Sequence, residues 1–264
     1  MTNLDVFAAR DAAPAYPVVR KVGPADLKDA LTKGANDFLP TLDFFVEPIT
    51  VVLFGIICPL ICLYLIGAGL PLLFPFMSGF SLVGPFVAIG LYEVSRRREL
   101  GLDVSWTDVF DLRRSPSLPS IFALGLVLLA IFVFWQAAAE SLYGWLFGSK
   151  PPESFKGFLT EVFTTSQGWA LIVLGNATGF VFAVAALSIS VVSFPLLLDR
   201  NVGAAVAAHT SVRAVLANPA TMALWGLIVA ASLAIGFLLA FIGLVFVAPI
   251  LAHASWHLYR KVVR

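Results

Sequence analysis

The sequence predicts an all-α polytopic membrane protein: a helix bundle of six transmembrane helices arranged as three hairpins, with further helices lying along the cytoplasmic interface. Two observations predict it. Long apolar runs occupy residues 48–67, 73–94, 121–142, 169–198 and 221–256, and a helix crossing the bilayer core needs about 20 such residues. The lysines and arginines fall between these runs, on alternating sides of them. Composition agrees, with 59% hydrophobic and 12% charged residues and a mean hydropathy of +0.93. Soluble domains carry roughly a quarter charged residues, so that class is excluded.

The last apolar run is too long for one upright span, and it contains Gly236 and Gly243. It is either one steeply tilted helix or a hairpin. Charge decides between them. With a cytoplasmic N-terminus and six spans, the inner segments hold Arg10, Arg20, Lys21, Lys28, Lys33, Arg96, Arg97, Arg98, Arg113, Arg114, Arg200, Arg213, Arg260, Lys261 and Arg264. Of the 17 basic residues, only Lys150 and Lys156 then fall outside. Five spans would put Arg260, Lys261 and Arg264 on the outer face, against the positive-inside rule. Residues 1–43 therefore read as a cytoplasmic tail with an interfacial helix, and residues 44–264 as the six-span membrane domain. The tail lacks the basic-then-apolar plan of a cleaved signal peptide, so the first span serves as insertion signal. The basic residues follow topology and no recognition motif accompanies them, which argues against nucleic-acid binding.

Taken in order, each hairpin follows a segment ending in proline: 26–40, 106–119 and 202–219. The first and third have helical apolar spacing, as in Val206, Val212, Val215 and Leu216 with Arg213 on the other side, and read as interfacial helices. Segments 85–97 and 249–261 align in register, each with a proline, an aromatic residue (Tyr92, Trp256), an ionisable group (Glu93, His257) and a basic pair. Pro195 to Arg200 is a looser third copy. Cys58 and Cys62 lie one turn apart in the first span, where a disulfide would constrain little and two small residues filling a helix contact explain them. Residues 143–168 interleave aromatics with Lys150, Glu153, Lys156 and Glu161, which predicts a short helix at the outer headgroup level.

Few residues carry chemistry. His253 and His257 share a helical face, the spacing that helical metal sites use, and His209 lies on the same side of the membrane. No HExxH frame follows, and Trp256, Tyr259, Arg260 and Lys261 surround the pair. These types concentrate at headgroup depth, so interfacial anchoring is the leading reading and no metal or cofactor is assigned. Glu93 with Arg96, Arg97 and Arg98 reads likewise as an interfacial ion pair at helical spacing. Asn176, inside the fourth apolar run, is flanked by Gly175, Gly179 and Ala183. This small-residue ridge predicts close helix packing with Asn176 hydrogen-bonding across it. Mid-membrane ionisable groups are essentially lacking, which counts against a proton-coupled carrier or ion channel. Phosphate-loop, serine-hydrolase and metalloprotease patterns are absent too.

Four stretches resemble an uncharacterised bacterial integral membrane family of the domain-of-unknown-function 2189 type: 79–97, 193–200 (Ser-Phe-Pro-Leu-Leu-Leu-Asp-Arg), 212–219 and 252–261. The resemblance implies an inner-membrane location and carries no catalytic or binding residues over. The expected role is therefore a non-enzymatic accessory or scaffold protein, packing in the lipid bilayer against another membrane complex or itself. A transporter of an apolar or amphiphilic solute is one alternative. A haem- or metal-binding respiratory-chain accessory protein using the histidine pair is another.

Reporter fusions test the topology. Fusions after Ser154 and Phe241 should read as periplasmic, and those after Leu102, Val206 and Arg264 as cytoplasmic. A periplasmic signal at Arg264 contradicts six spans.

Overall fold

The computed structural model describes residues 17–41, 56–68, 70–104, 115–148, 152, 154–239 and 241–264. They form α1 (Pro24–Phe38), α2 (Cys58–Ala68), α3 (Leu73–Val87), α4 (Ile89–Glu99), α5 (Leu118–Phe147), α6 (Phe155–Thr164), α7 (Ser166–Ser190), α8 (Ser193–Asp199), α9 (Ala204–Ala217), α10 (Pro219–Leu238) and α11 (Ile242–Val262). Among the described residues, β-type pairing is confined to one antiparallel bridge between Val19 and Val263. Five stretches are long and apolar enough to cross a membrane: Leu73–Glu99, Leu118–Phe147, Ser166–Asp199, Pro219–Leu238 and Ile242–Val262. The expected first span at 48–67 lies partly outside the described residues, and its described part is α2. Most of the interfacial segment at 106–119, including Arg113 and Arg114, also lies outside them, as do residues 1–16 of the tail.

The long run 221–256 divides into α10 and α11, as a hairpin requires. Phe241 turns the chain with φ 68°. Gly236 and Gly243 let the two helices touch there, since a Cβ on Gly243 would lie 2.8 Å from Gly236 Cα. The other end is clipped by Asn218. Its Nδ2 donates to the Arg20 carbonyl (3.0 Å) and its Oδ1 accepts from the Val22 amide (2.9 Å). Nearby, Arg20 N donates to the Val262 carbonyl and Arg264 N to the Val18 carbonyl.

Helices α3, α5 and α7 pack around Trp135, which is 3% exposed. Its indole Nε1 donates to the Pro75 carbonyl at 2.8 Å, and Phe182 packs on it at 5.8 Å between ring centroids. Two glycines make the space. A Cβ on Gly79 would come within 2.6 Å of the Trp135 ring, and one on Gly179 within 3.0 Å. Between membrane helices, contact of this kind supplies the attraction that water exclusion supplies elsewhere. The span continuing into α8 is interrupted at Val191–Val192. Pro195 lacks an N–H, and its ring clashes with the carbonyl four residues earlier, that of Val191. Ser211 Oγ from α9 accepts the Val192 N–H at 3.2 Å.

Only part of the expected ridge on α7 faces a neighbour. Gly179 meets Trp135, and a Cβ added to Gly175 would lie 3.9 Å from Leu142, but Asn176 and Ala183 are exposed. Asn176 Nδ2 donates to the Ile172 carbonyl of its own helix (2.7 Å) and makes no bond across to α5. The helical angle explains this: a residue three places before Gly179 is rotated by about 60° from it.

The short helix expected within residues 143–168 is present as α6. Ser154 caps its start, accepting from Gly157 N at 3.1 Å, and Thr165 caps α7 by accepting from Gly168 N at 3.0 Å. Phe158 packs against Tyr143, and Phe155, Leu159 and Phe163 form an exposed apolar stripe.

The first expected interfacial helix is placed differently. Leu27, Ala30, Gly34 and Phe38 on α1 are buried because α1 lies antiparallel along α11. Gly34 is so close that a Cβ would lie 2.6 Å from Ala254 N, and Phe38 meets Phe246 edge-on. The apolar face that would have met lipid meets protein. Helix α9 likewise buries Ala204, Val206, Ala207, Thr210, Ser211 and Ala214. Its bulkier Leu216 and its Arg213 stay exposed.

Candidate functional site

The ion pairs among the described residues collect where α4, α8 and α11 end and α1 docks. The geometry follows from helical spacing. On α11, His253 and His257 fall one above the other, facing α1 and α4. Ser95 on α4 reaches the same level, and α1 delivers Asp37 between them. The Ser95 hydroxyl donates to Asp37 Oδ2 at 2.6 Å, and His257 Nε2 lies 2.7 Å from the same oxygen. Ser95 Oγ is also 2.8 Å from His253 Nδ1. Arg98 donates to the Asp37 main-chain carbonyl.

Proton counting fixes the directions. Ser95 has one hydroxyl proton, and it goes to the carboxylate. His253 must then carry its hydrogen on Nδ1 and donate to Ser95 Oγ. His253 is fully buried. Its Nε2 makes no hydrogen bond of normal geometry, although the Leu91 backbone lies close.

A second arm joins α11 to α4 and α8. Trp256 Nε1 donates to Glu99 Oε2 (3.0 Å) and Arg260 Nε to Glu99 Oε1 (3.0 Å). The Tyr259 hydroxyl donates to Asp199 Oδ2 at 2.6 Å. Lys261 bridges Asp26 (3.2 Å) and Asp29 (2.9 Å) of α1. Beside them, Glu93 takes Arg96 at 2.7 Å and Arg97 at 3.0 Å, the helical ion pair that the spacing predicts.

Burial alone would raise the Asp37 carboxyl. Hydrogen bonds from His257 and Ser95 outweigh that and hold it below the ordinary carboxylate range. The Gly23 amide holds Asp26 down, and Lys261 and Lys33 hold Asp29 down.

Several expected anchors are placed otherwise. Trp256 is 1% and Tyr259 0% exposed, so neither ring reaches headgroups from this chain. Their polar tips find Glu99 and Asp199, which lets the rings be buried. His253 is enclosed as well. His209 lies on an exposed turn of α9 and does not join the pair. Among the described residues, no three His, Cys, Asp or Glu side chains converge to hold a metal ion. Serine, histidine and aspartate do meet here, but in the wrong order for acyl transfer. Ser95 is 0% exposed and gives its proton to the carboxylate, where a nucleophile would give it to the imidazole. An open cleft of about 430 Å³ lies over the junction, lined by residues that include Lys33, Asp37, Arg98, His257 and Arg260.

Sequence reasoning missed Asp37, Ser95 and Asn218 as organising residues. Their one local signal is a polar side chain beside a buried helical face, as Asp37 stands beside Phe38.

Residues 73–199 match the model of a family described as a predicted integral membrane protein (DUF2189), the family that the motifs resemble. The motifs at 212–219 and 252–261 lie beyond that match. No curated protein and no solved structure matches the chain.

The charge on Asp37 should be felt in stability. Because its carboxyl is held low, its contribution is complete above the unfolded value of about pH 3.9 and fades as pH falls through the lower folded value. Asp37→Asn should cost about 1–3 kcal/mol at pH 7 and flatten the loss of stability below about pH 4. Thermal unfolding in detergent across pH checks this. An unchanged midpoint and an unchanged acid limb would show that Asp37 does not secure α1.

Proposed function

We propose that this integral membrane protein is a non-enzymatic accessory or scaffold subunit of the inner membrane, with both termini cytoplasmic and six spans. It packs laterally against another membrane complex or a second copy of itself. One observation carries the reading: three of the five spans leave most of their most apolar window uncovered by the described residues. The buried share is 19% in Leu73–Glu99, 28% in Leu118–Phe147 and 22% in Pro219–Leu238, against 50% in Ser166–Asp199 and 56% in Ile242–Val262. The charged groups that pair, by contrast, lie together at one end. A protein built for turnover needs reactive groups held open to a substrate. Here the polar groups fasten helices together, and the surface on offer is apolar and lateral.

Photo-crosslinking in native membranes tests this. A photoreactive residue replaces Phe134 on α5, Phe180 on α7 or Leu227 on α10, all at least 65% exposed. A protein adduct of discrete mass is expected from at least one position. Lipid adducts alone at all three would contradict a scaffold.

A further inference from the structure

The exposed face of α7 carries a polar group where lipid offers no partner. Asn176 lies seven residues from Trp169, which is about 10 Å further along the helix. With Trp169 and α6 at the outer headgroup level, this depth is well inside the hydrocarbon. One Asn176 N–H is used by the Ile172 carbonyl. Among the described residues, nothing donates to its Oδ1 and nothing accepts its second N–H. An amide facing hydrocarbon with both functions unused is costly. Among the described residues no helix covers it, and α5 packs on the Gly179 side. Ala183 is exposed on the same face, about 20° round the helix from Asn176, and the exposed Val173 and Phe180 lie within about 60° of it.

We propose that this face of α7 is the contact with a second copy of the chain, in which two Asn176 side chains hydrogen-bond each other across a two-fold axis along the membrane normal. This rests on the scaffold reading and names its partner. Symmetry makes the pairing specific. Copies inserted the same way and related by such an axis keep every residue at its own depth, so Asn176 can meet Asn176. An amide is its own complement: each Oδ1 accepts the other's free N–H, and both unused functions are satisfied. Ala183, about 20° round the helix from Asn176, is the small residue that lets the backbones approach on this face.

The test uses the full chain, co-expressed with two different tags and carrying the photoreactive residue at position 180. A cross-linked dimer holding both tags is expected. Asn176→Leu should reduce it by about tenfold, Asn176→Gln should retain much of it, and Ala183→Leu should reduce it. These positions are exposed, so the thermal stability of the detergent-solubilised monomer should stay unchanged. A dimer insensitive to Asn176→Leu would overturn the pairing. So would adducts at position 180 made only with a different protein, though these leave the scaffold reading standing. Lipid adducts alone at position 180 also overturn it. Lipid alone at positions 134 and 227 as well removes both.

Discussion

The described structure turns on the close packing of α1 against the last turns of α11. At Gly34 the two backbones approach so closely that a single methyl group would collide with the Ala254 main chain. That proximity lets Asp37 reach His257 and Ser95 and lets Lys261 span Asp26 and Asp29. Helix α4 is tied in through Ser95 and Glu99, and α8 through Asp199. Four elements distant in sequence are thus joined by side chains from three turns of one helix. The Asp37 contacts are largely shielded from water, where such bonds are strongest. The Lys261 and Arg260 pairs are more exposed and hold less firmly.

This arrangement separates two kinds of cohesion. At the charged end, helices are held by ionic and hydrogen-bonded contacts. Through the apolar length they are held by shape, with Trp135 fitted between Gly79 and Gly179. At the polar junction, side chains of α11 hydrogen-bond groups of α1, α4 and α8 and so position these helices.

Local pattern made several of these features legible. Glycines at 236 and 243 and the basic C-terminal residues pointed to a hairpin, and the hairpin is there. Alternating aromatic and charged residues marked α6, and helical spacing paired Glu93 with Arg96 and Arg97. The partner of a polar residue was harder to read whenever it lay far along the chain. Asp37 stands in a polar tail, and nothing near it signals a bond to His257, since that bond depends on α1 docking at all. The same docking explains why Trp256 and Tyr259 are buried: aromatic and basic types at a helix end fit headgroups and a protein junction equally well. Periodicity located Asn176 inside a span but left open which side of α7 would face α5.

Amide hydrogen exchange on the Gly34→Ala variant tests the central claim most directly. Alanine is intrinsically the better helix former by about 1 kcal/mol, so an uncontacted α1 would exchange more slowly with the substitution. Close packing predicts the reverse, with faster exchange in α1 and in the last turns of α4 and α11. Gly144→Ala, with nothing within 4 Å of the added carbon, should leave these segments unchanged. Slower or equal exchange in Gly34→Ala would show that α1 does not hold the junction together.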